Sequence, residues 1–431
     1  MSTLALGIDF GTTNSSLARL DAAGEIALAR FPAARDFTEA YRSILYLEQL
    51  RERGVRHLKS WSGPAAIEQY LAAETKGRLI QSLKSFLTSR SLTSTDVFGR
   101  PMKLEELIAR ILRDLREKAE AQFGGPARTV VAGRPVRFVG AEKPEDDTFA
   151  EDRLREAFHI AGYRNVHFEL EPVAAAHYYE STLDHDELIL IGDFGGGTSD
   201  FSLLRVGPGI RRRGRTPADL LGNSGLGLAG DAFDAKIVRH LVSPALGRGS
   251  QARSMGKLLP AVPNWVYARL EHWHHLSFLR TNSVLNMLGT TLAEALEPQR
   301  IEALIHLIKE DLGYHLHRSV QQVKVELSSS LGAAFRFSDG GLDIRATVLR
   351  SDFEEWIAEE LARIEHCVDA LLASAGAACG DIDMVFLTGG TSFVPAVRRI
   401  FESRFGAQRI RTGNEFTSVA RGLAVKAATL D

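Results

Sequence analysis

Cysteine is scarce in this chain: Cys367 and Cys379 are the only two among 431 residues. A disulfide framework is not expected from so few, and a reducing compartment is. Cys367 falls in a stretch of helical apolar spacing and reads as a small apolar residue. No apolar run reaches the ~18 residues that a membrane-spanning helix needs. The N-terminus carries no basic leader with a small-residue cleavage site, because Leu4-Ala5-Leu6-Gly7-Ile8 runs straight into a glycine turn. A soluble, cytoplasmic protein is therefore expected. An excess of one charge is also missing. The formal net charge of −2 asks for neither a nucleic-acid nor a membrane partner. Nowhere does Gly-x4-Gly-Lys-Ser/Thr occur, which removes the Walker class of phosphate site.

The composition that remains is 45% hydrophobic and 25% charged, ordinary for a globular protein with a sizeable core. The length suggests about two or three domains. One motif organises the chain. Gly7-Ile8-Asp9-Phe10-Gly11-Thr12-Thr13-Asn14-Ser15 has a relative far downstream in Ile191-Gly192-Asp193-Phe194-Gly195-Gly196-Gly197-Thr198-Ser199-Asp200. Each follows an apolar run, ends it on a carboxylate and turns through glycine into hydroxyl residues. Such a turn can set backbone N–H groups and hydroxyls against a phosphate. The carboxylate can hold a hydrated Mg²⁺ beside it. Two turns facing each other would grip a polyphosphate from both sides. Residues 4–10, 15–20 and 25–31 read as a meander of strands, so the first turn is a hairpin loop. Walker and Rossmann sites are instead strand-to-helix turns. A third turn, Thr388-Gly389-Gly390-Thr391-Ser392, follows the apolar strand 383–387.

Several other features have two readings. Leu79, Ile80, Leu83, Phe86 and Leu87 have helical spacing, which makes Lys84 a solvated helix lysine if taken alone. Glu171 precedes Pro172 at a helix entrance, where the helix dipole alone favours an acid. Arg211–Arg215 reads as a short basic strand at a solvated edge. Gly225-Leu226-Gly227-Leu228-Ala229-Gly230 matches G-x-G-x-x-G, but Thr216–Ser224 does not read as a buried strand, and no acid lies near position 250 for a ribose. Glu271-His272-Trp273-His274-His275 lacks the spacing of a metal site. Helices are expected over 104–123, 152–161, 231–241, 300–328 and 418–428. Another, opened by the capping box Ser351-Asp352-Phe353-Glu354, runs to Gly376. A hairpin is expected around Asp339-Gly340-Gly341.

Together these motifs resemble the nucleotide-binding domain of the seventy-kilodalton heat-shock chaperone (DnaK-like) family, within the actin-like ATPase superfold. Gly7–Ser15 and Asp193–Asp200 resemble its two phosphate motifs, Glu171–Ala176 and Gly422–Ala427 its connecting helices, and Leu387–Pro395 its adenosine motif. The match spans about the whole chain and is most similar to the short YegD-like branch. The resemblance implies an α/β fold of two lobes, each a duplicated ribonuclease-H-like domain, with a mostly helical insertion in the second. It places residues 1–186 and 413–431 in the first lobe and 187–412 in the second, with 235–330 as the helical part. It implies ATP or ADP with Mg²⁺, the metal held through water by Asp9 and Asp193. Lys84, Glu171, Asp193 and Thr198 would be catalytic. Gly11, Thr12, Thr13, Asn14, Gly195, Gly196, Gly197 and Thr198 would bind phosphate. Gly230, Gln321, Lys324, Ser328, Gly389, Gly390, Thr391 and Phe393 would hold the nucleoside.

The chain departs from the family in three places. Val325 and Phe393 stand where the family sandwiches adenine between arginines, and Gln321 stands where it has a ribose-binding glutamate. Weaker or less selective nucleotide binding is the consequence. The second connecting helix is followed almost at once by Asp431, so no peptide-binding domain is expected. The implied function is a slow Mg²⁺-dependent ATPase of chaperone type, with client proteins or co-chaperones as partners. A nucleotide-dependent filament or sensing module, and a small-molecule kinase of the same superfold, are the alternatives.

Overall fold

A computed structural model describes residues 4–430 apart from 22, 33–35, 53–54, 74–76, 255, 273–274, 277–278 and 413–416. It divides into two compact units, one of residues 1–230, 363–392 and 397–431, the other of residues 231–362 and 393–396. Among the described residues, the first unit contains two large sheets and three smaller ones. In one large sheet, the strands run in the order Asn165–Leu170, Ala127–Arg134, Leu4–Phe10, Asn14–Leu20, Ile26–Leu28. In the other the order is Ile410–Thr412, Met384–Thr388, Glu187–Phe194, Ser199–Val206, Leu220–Leu226. The pairing sense is also the same. Leu4–Phe10 is antiparallel to Asn14–Leu20 and parallel to Ala127–Arg134, as Glu187–Phe194 is antiparallel to Ser199–Val206 and parallel to Met384–Thr388. The duplication expected from the two motifs is therefore a duplication of sheet topology, and the architecture is the two-lobed actin-like ATPase fold.

Both motif strands are hydrophobic along nearly their whole length because each sits mid-sheet. Leu6, Ile8, Phe10, Ile189, Leu190, Ile191 and Phe194 have almost no exposed surface. Two helices lie against the sheets, Glu171–Glu180 and Ser418–Ala427. Their small side chains let backbones meet. A Cβ on Gly422 would overlap the Ala174 carbonyl, and one on Gly7 would overlap the backbone of Ala420, Leu423 and Ala424. Ala174–Ala176 and Leu423 share one core cluster with Val131, Ile189, Ile191 and Leu204. The helix Leu104–Phe123 buries Leu107, Ile111, Leu112 and Leu115 as its spacing predicts, and stops at Gly124, whose φ of 73° no side chain opposes.

Some expectations fail, each for a physical reason. Arg78–Gln81 is not helical. It pairs antiparallel with Ile44–Glu52, and only Leu83–Phe86 coils, as a 3-10 turn. Strand pairing overrides the apolar spacing there. Arg211–Arg213 belongs to a short helix, Pro208–Arg213, started by the proline. Arg213 pairs with Asp219, and Arg215 with Glu180 at 2.9 Å. By contrast, no buried strand leads into the glycines at 225–230, as expected: Leu220–Leu226, which includes Gly225, is a half-buried edge strand antiparallel to its neighbour. The helix expected at 152 begins at Pro144. The strand expected over 25–31 is reduced to Ile26–Leu28 and Phe31–Pro32. Lys76 lies outside the described residues.

The second unit is mainly helical, with the hairpin Gly332–Asp339/Leu342–Leu349 formed around Gly340 as expected and another at Gln251–Ser254/Lys257–Pro260. The helix expected over 300–328 is two, Pro298–Lys309 and Gly313–Ser329, broken where Asp311 adopts a left-handed φ of 52°. Ser351 does not cap its helix, which begins one residue earlier at Arg350 and breaks again at Ile357. Glu271 is held by Arg239 and Arg248. Trp273 and His274 lie outside the described residues, and among the described residues no His, Cys, Asp and Glu group could hold a metal directly. No described helix is long and apolar enough to cross a membrane.

Replacing Gly422 by valine should destabilise the protein by about 3 kcal/mol or more, since the two helix backbones leave no room for a side chain. Urea unfolding checks this, and an unchanged midpoint would mean that the helices are not in backbone contact.

Candidate functional site

The three glycine turns meet inside the first unit. In the first hairpin the innermost pair is Phe10 with Ser15, and Asp9 lies one step back, opposite Ser16. A Cβ on Gly11 would overlap the Asn14 carbonyl, so the tight loop needs glycine there. Thr12 is buried, whereas Thr13 and Asn14 keep part of their surface. In the second hairpin Phe194 pairs with Ser199, and Asp193 with Asp200. Its loop is closed by a hydrogen bond from the Gly195 amide to the Thr198 carbonyl, 2.9 Å. A Cβ built on Gly197 would come within 3.2 Å of Thr12 Oγ1 and 3.7 Å of Ser85 Oγ, so both phosphate-type turns and the turn bearing Lys84 converge at this glycine. The third turn docks on the second. Gly389, at φ 84°, touches the Phe194 backbone, and Thr391 Oγ1 donates to the Gly195 carbonyl at 3.3 Å. The Gly230 amide reaches the same carbonyl at 3.5 Å.

Lys84 is not a solvated lysine. Ser82 adopts the left-handed conformation at φ 54° and turns the chain, which leaves the Lys84 side chain only 7% exposed. Its Nζ donates to Glu171 Oε1 at 2.6 Å. Glu171 is the first residue of its helix, with Pro172 behind it, and is itself buried. A β-carbon on Gly133 would stand 3.1 Å from the Glu171 Cγ, so the neighbouring strand leaves the carboxylate room.

Four acids surround this one ammonium. Burial first, then Glu171, pushes the Asp9 carboxyl up to about 7, with Lys84 opposing. Burial, reinforced by Glu171, Asp9 and Asp200, holds Asp193 well above the carboxylate range. Burial and Glu171 raise Asp200 to about 7, although Thr198 and the amides of Arg137 and Val136 hydrogen-bond to it. Burial pulls the Lys84 ammonium down, but Glu171 and Asp9 more than reverse this, so its pKa is raised. The cluster therefore holds more carboxyl groups than its one lysine can balance, and without a further cation some of them keep their protons. It fits a hydrated divalent cation that Asp9 and Asp193 would hold through water. It does not fit a directly ligated ion, since no described group of acids is set for one.

The residues expected at the phosphates thus lie in one compact unit: Asp9, Gly11–Asn14, Lys84, Glu171, Asp193 and Gly195–Thr198, together with Gly230 and Gly389–Thr391. Gln321, Lys324, Ser328 and Phe393 belong to the second unit. There the first three share one face of the helix Gly313–Ser329 by their spacing. Lys324 Nζ is 2.7 Å from Asp234 Oδ1, and Ser328 Oγ donates to the Lys324 carbonyl at 3.0 Å. Val325 is 69% exposed. Asp200 was not among the expected site residues. Its signal lay in the hairpin register, because residues directly opposite on an antiparallel pair project from the same face. An acid opposite Asp193 therefore has to share its surroundings.

The duplicated sheets and their paired glycine hairpins define the two-lobed actin-like class of proteins. The Hsp70 protein family model matches residues 52–250 and 301–431. The chain belongs to the Hsp70 family. It is 24% identical over 436 aligned positions to the chaperone protein DnaK of Deinococcus radiodurans. That alignment covers 99% of this chain and 59% of the relative's length.

The raised carboxyls give a pH dependence of definite sign. Folded values near 7 exceed the ordinary 3.8, so between them the folded chain keeps protons that the unfolded chain has released. Stability from these groups is highest near the lower value and falls as the pH rises to the upper one. Without metal, the melting temperature should drop between about pH 4 and pH 7, and Asp9→Asn should flatten that drop. Thermal denaturation in a chelator checks this, and equal slopes for both proteins would count against it.

Proposed function

We propose that this chain binds ATP with Mg²⁺ and hydrolyses it slowly, as a chaperone-type ATPase. The observation that carries this reading is the buried Lys84–Glu171 pair at the meeting point of two duplicated glycine hairpins. The amides and hydroxyls of Gly11–Asn14 and Gly195–Thr198 would take the β- and γ-phosphates from two sides. Lys84 would neutralise charge on the γ-phosphoryl oxygens as the bond to the bridging oxygen breaks. Glu171 and Asp193 would orient the attacking water, with Thr198 beside it. Bound Mg²⁺ would supply further charge neutralisation, and Asp9 and Asp193 would hold its water shell.

Gly230, Gln321, Lys324, Ser328, Gly389, Gly390, Thr391 and Phe393 would hold the nucleoside. With Val325 and Phe393 in place of arginines, adenine would be gripped less selectively. Partners would be client proteins or co-chaperones, in the cytoplasm.

Phosphate release from ATP should require Mg²⁺. Lys84→Ala should lower it about a hundredfold while nucleotide still binds. Unchanged turnover in that variant would remove Lys84 from the chemistry. ATP-dependent sedimentation without phosphate release would favour a filament or sensing module instead.

A further inference from the structure

The loop that follows Lys84 has few regular partners for its backbone. After the 3-10 turn Leu83–Phe86 the chain stays irregular until the strand at Ser94. One side chain collects its carbonyls. Arg153, on the helix Pro144–Ala161, donates through Nη1 to the carbonyls of Phe86 at 3.4 Å, Leu87 at 3.2 Å and Ser89 at 3.0 Å. Nη2 donates to the Leu92 carbonyl at 3.1 Å, and Nε to Glu105. The arginine is only 8% exposed, so these bonds are made largely out of water.

This arrangement suits a guanidinium and little else. Its planar fork presents five N–H donors, enough to serve several carbonyls and a carboxylate at once. A lysine ammonium has three donors around a point and cannot span the same arc. Buried carbonyls left without donors would cost free energy, so the loop would move to find water. The first carbonyl in the fan, that of Phe86, is two residues beyond Lys84. The loop has other ties, Thr88 Oγ1 to the Val139 carbonyl at 2.7 Å and Arg90 to Asp146 at 3.4 Å, but each of these bonds anchors a single point.

We propose that Arg153 is a positioning residue for Lys84: by gathering the carbonyls at positions 86, 87, 89 and 92 it fixes the turn that aims the ammonium at Glu171. Glu105 anchors the guanidinium from the opposite helix. The consequence for hydrolysis rests on the reading of Lys84 as a phosphoryl-transfer residue; the consequence for the position of Lys84 does not.

The test uses Arg153→Ala and Arg153→Lys in the full chain, well below their melting temperatures. Three quantities are measured: amine-reactive labelling of Lys84 relative to the other lysines by mass spectrometry, nucleotide affinity, and single-turnover hydrolysis. In Arg153→Ala, Lys84 should label at least about tenfold faster and hydrolysis should fall about a hundredfold, while nucleotide affinity stays within about threefold. Arg153→Lys should fall between the two. Unchanged Lys84 labelling in the variants overturns the proposal, and so does a parallel loss of affinity and hydrolysis. If Arg153→Ala does not fold, the lysine variant decides alone by the same labelling. If the unaltered protein releases no phosphate, the ATPase reading fails, and the labelling still decides the role of Arg153.

Discussion

The ion pair between Lys84 and Glu171 is the interaction on which the rest of the first unit turns. Both groups are withdrawn from water, and a buried pair contributes little net stability because desolvation offsets its attraction. Removing one partner alone would leave an unpaired buried charge, at a cost of about 3–5 kcal/mol. The pair persists because both sides are held by structure built for other reasons. Glu171 opens a helix whose alanines are pressed between two sheets. Lys84 sits on a turn forced by the left-handed Ser82 and tied to a distant helix by Arg153. The geometry of the charges is set by packing, and packing is set by glycines and alanines that allow backbone contact.

The same economy of small residues explains how two sheets of one topology form a single compact unit. Gly7 and Gly422 remove side chains where the helix Ser418–Ala427 meets a strand and a second helix. Gly197 and Gly389 remove them where the three turns meet. Each is a place where a Cβ would collide with backbone or a neighbouring side chain, so these glycines set distances as well as permitting turns.

Much of this was legible in the sequence because it was local. A strand ending in Asp-Phe-Gly and returning through threonine or serine reads as a hairpin, and both hairpins are there. The helix 104–123 follows from its apolar spacing and stop signal, and the one expected over 418–428 from its run of small residues, ending one residue earlier at Ala427. What could not be read from local pattern depended on distant partners. Lys84 looked solvated because the apolar residues around it had helical spacing, whereas Arg78–Gln81 is recruited by the strand Ile44–Glu52. The break at Ile357 carries no proline or glycine signal, and the one at Asp311 has only Gly313, two residues on. The fan of carbonyls around Arg153 joins residues more than sixty positions apart, and no periodicity points to it. Asp200 was the exception, readable from hairpin register once the loop length was known.

The two hairpins are copies in topology but not in charge. Across the first, Asp9 faces Ser16; across the second, Asp193 faces another acid, Asp200. A duplicated scaffold has thereby acquired an uneven distribution of acid, with an extra carboxyl on the later half and a hydroxyl in the matching place on the earlier one. The hollow therefore has a polarity that its symmetric frame does not impose. Any cation or proton entering it meets two different sides, so the two halves of one ancestral pattern are not interchangeable.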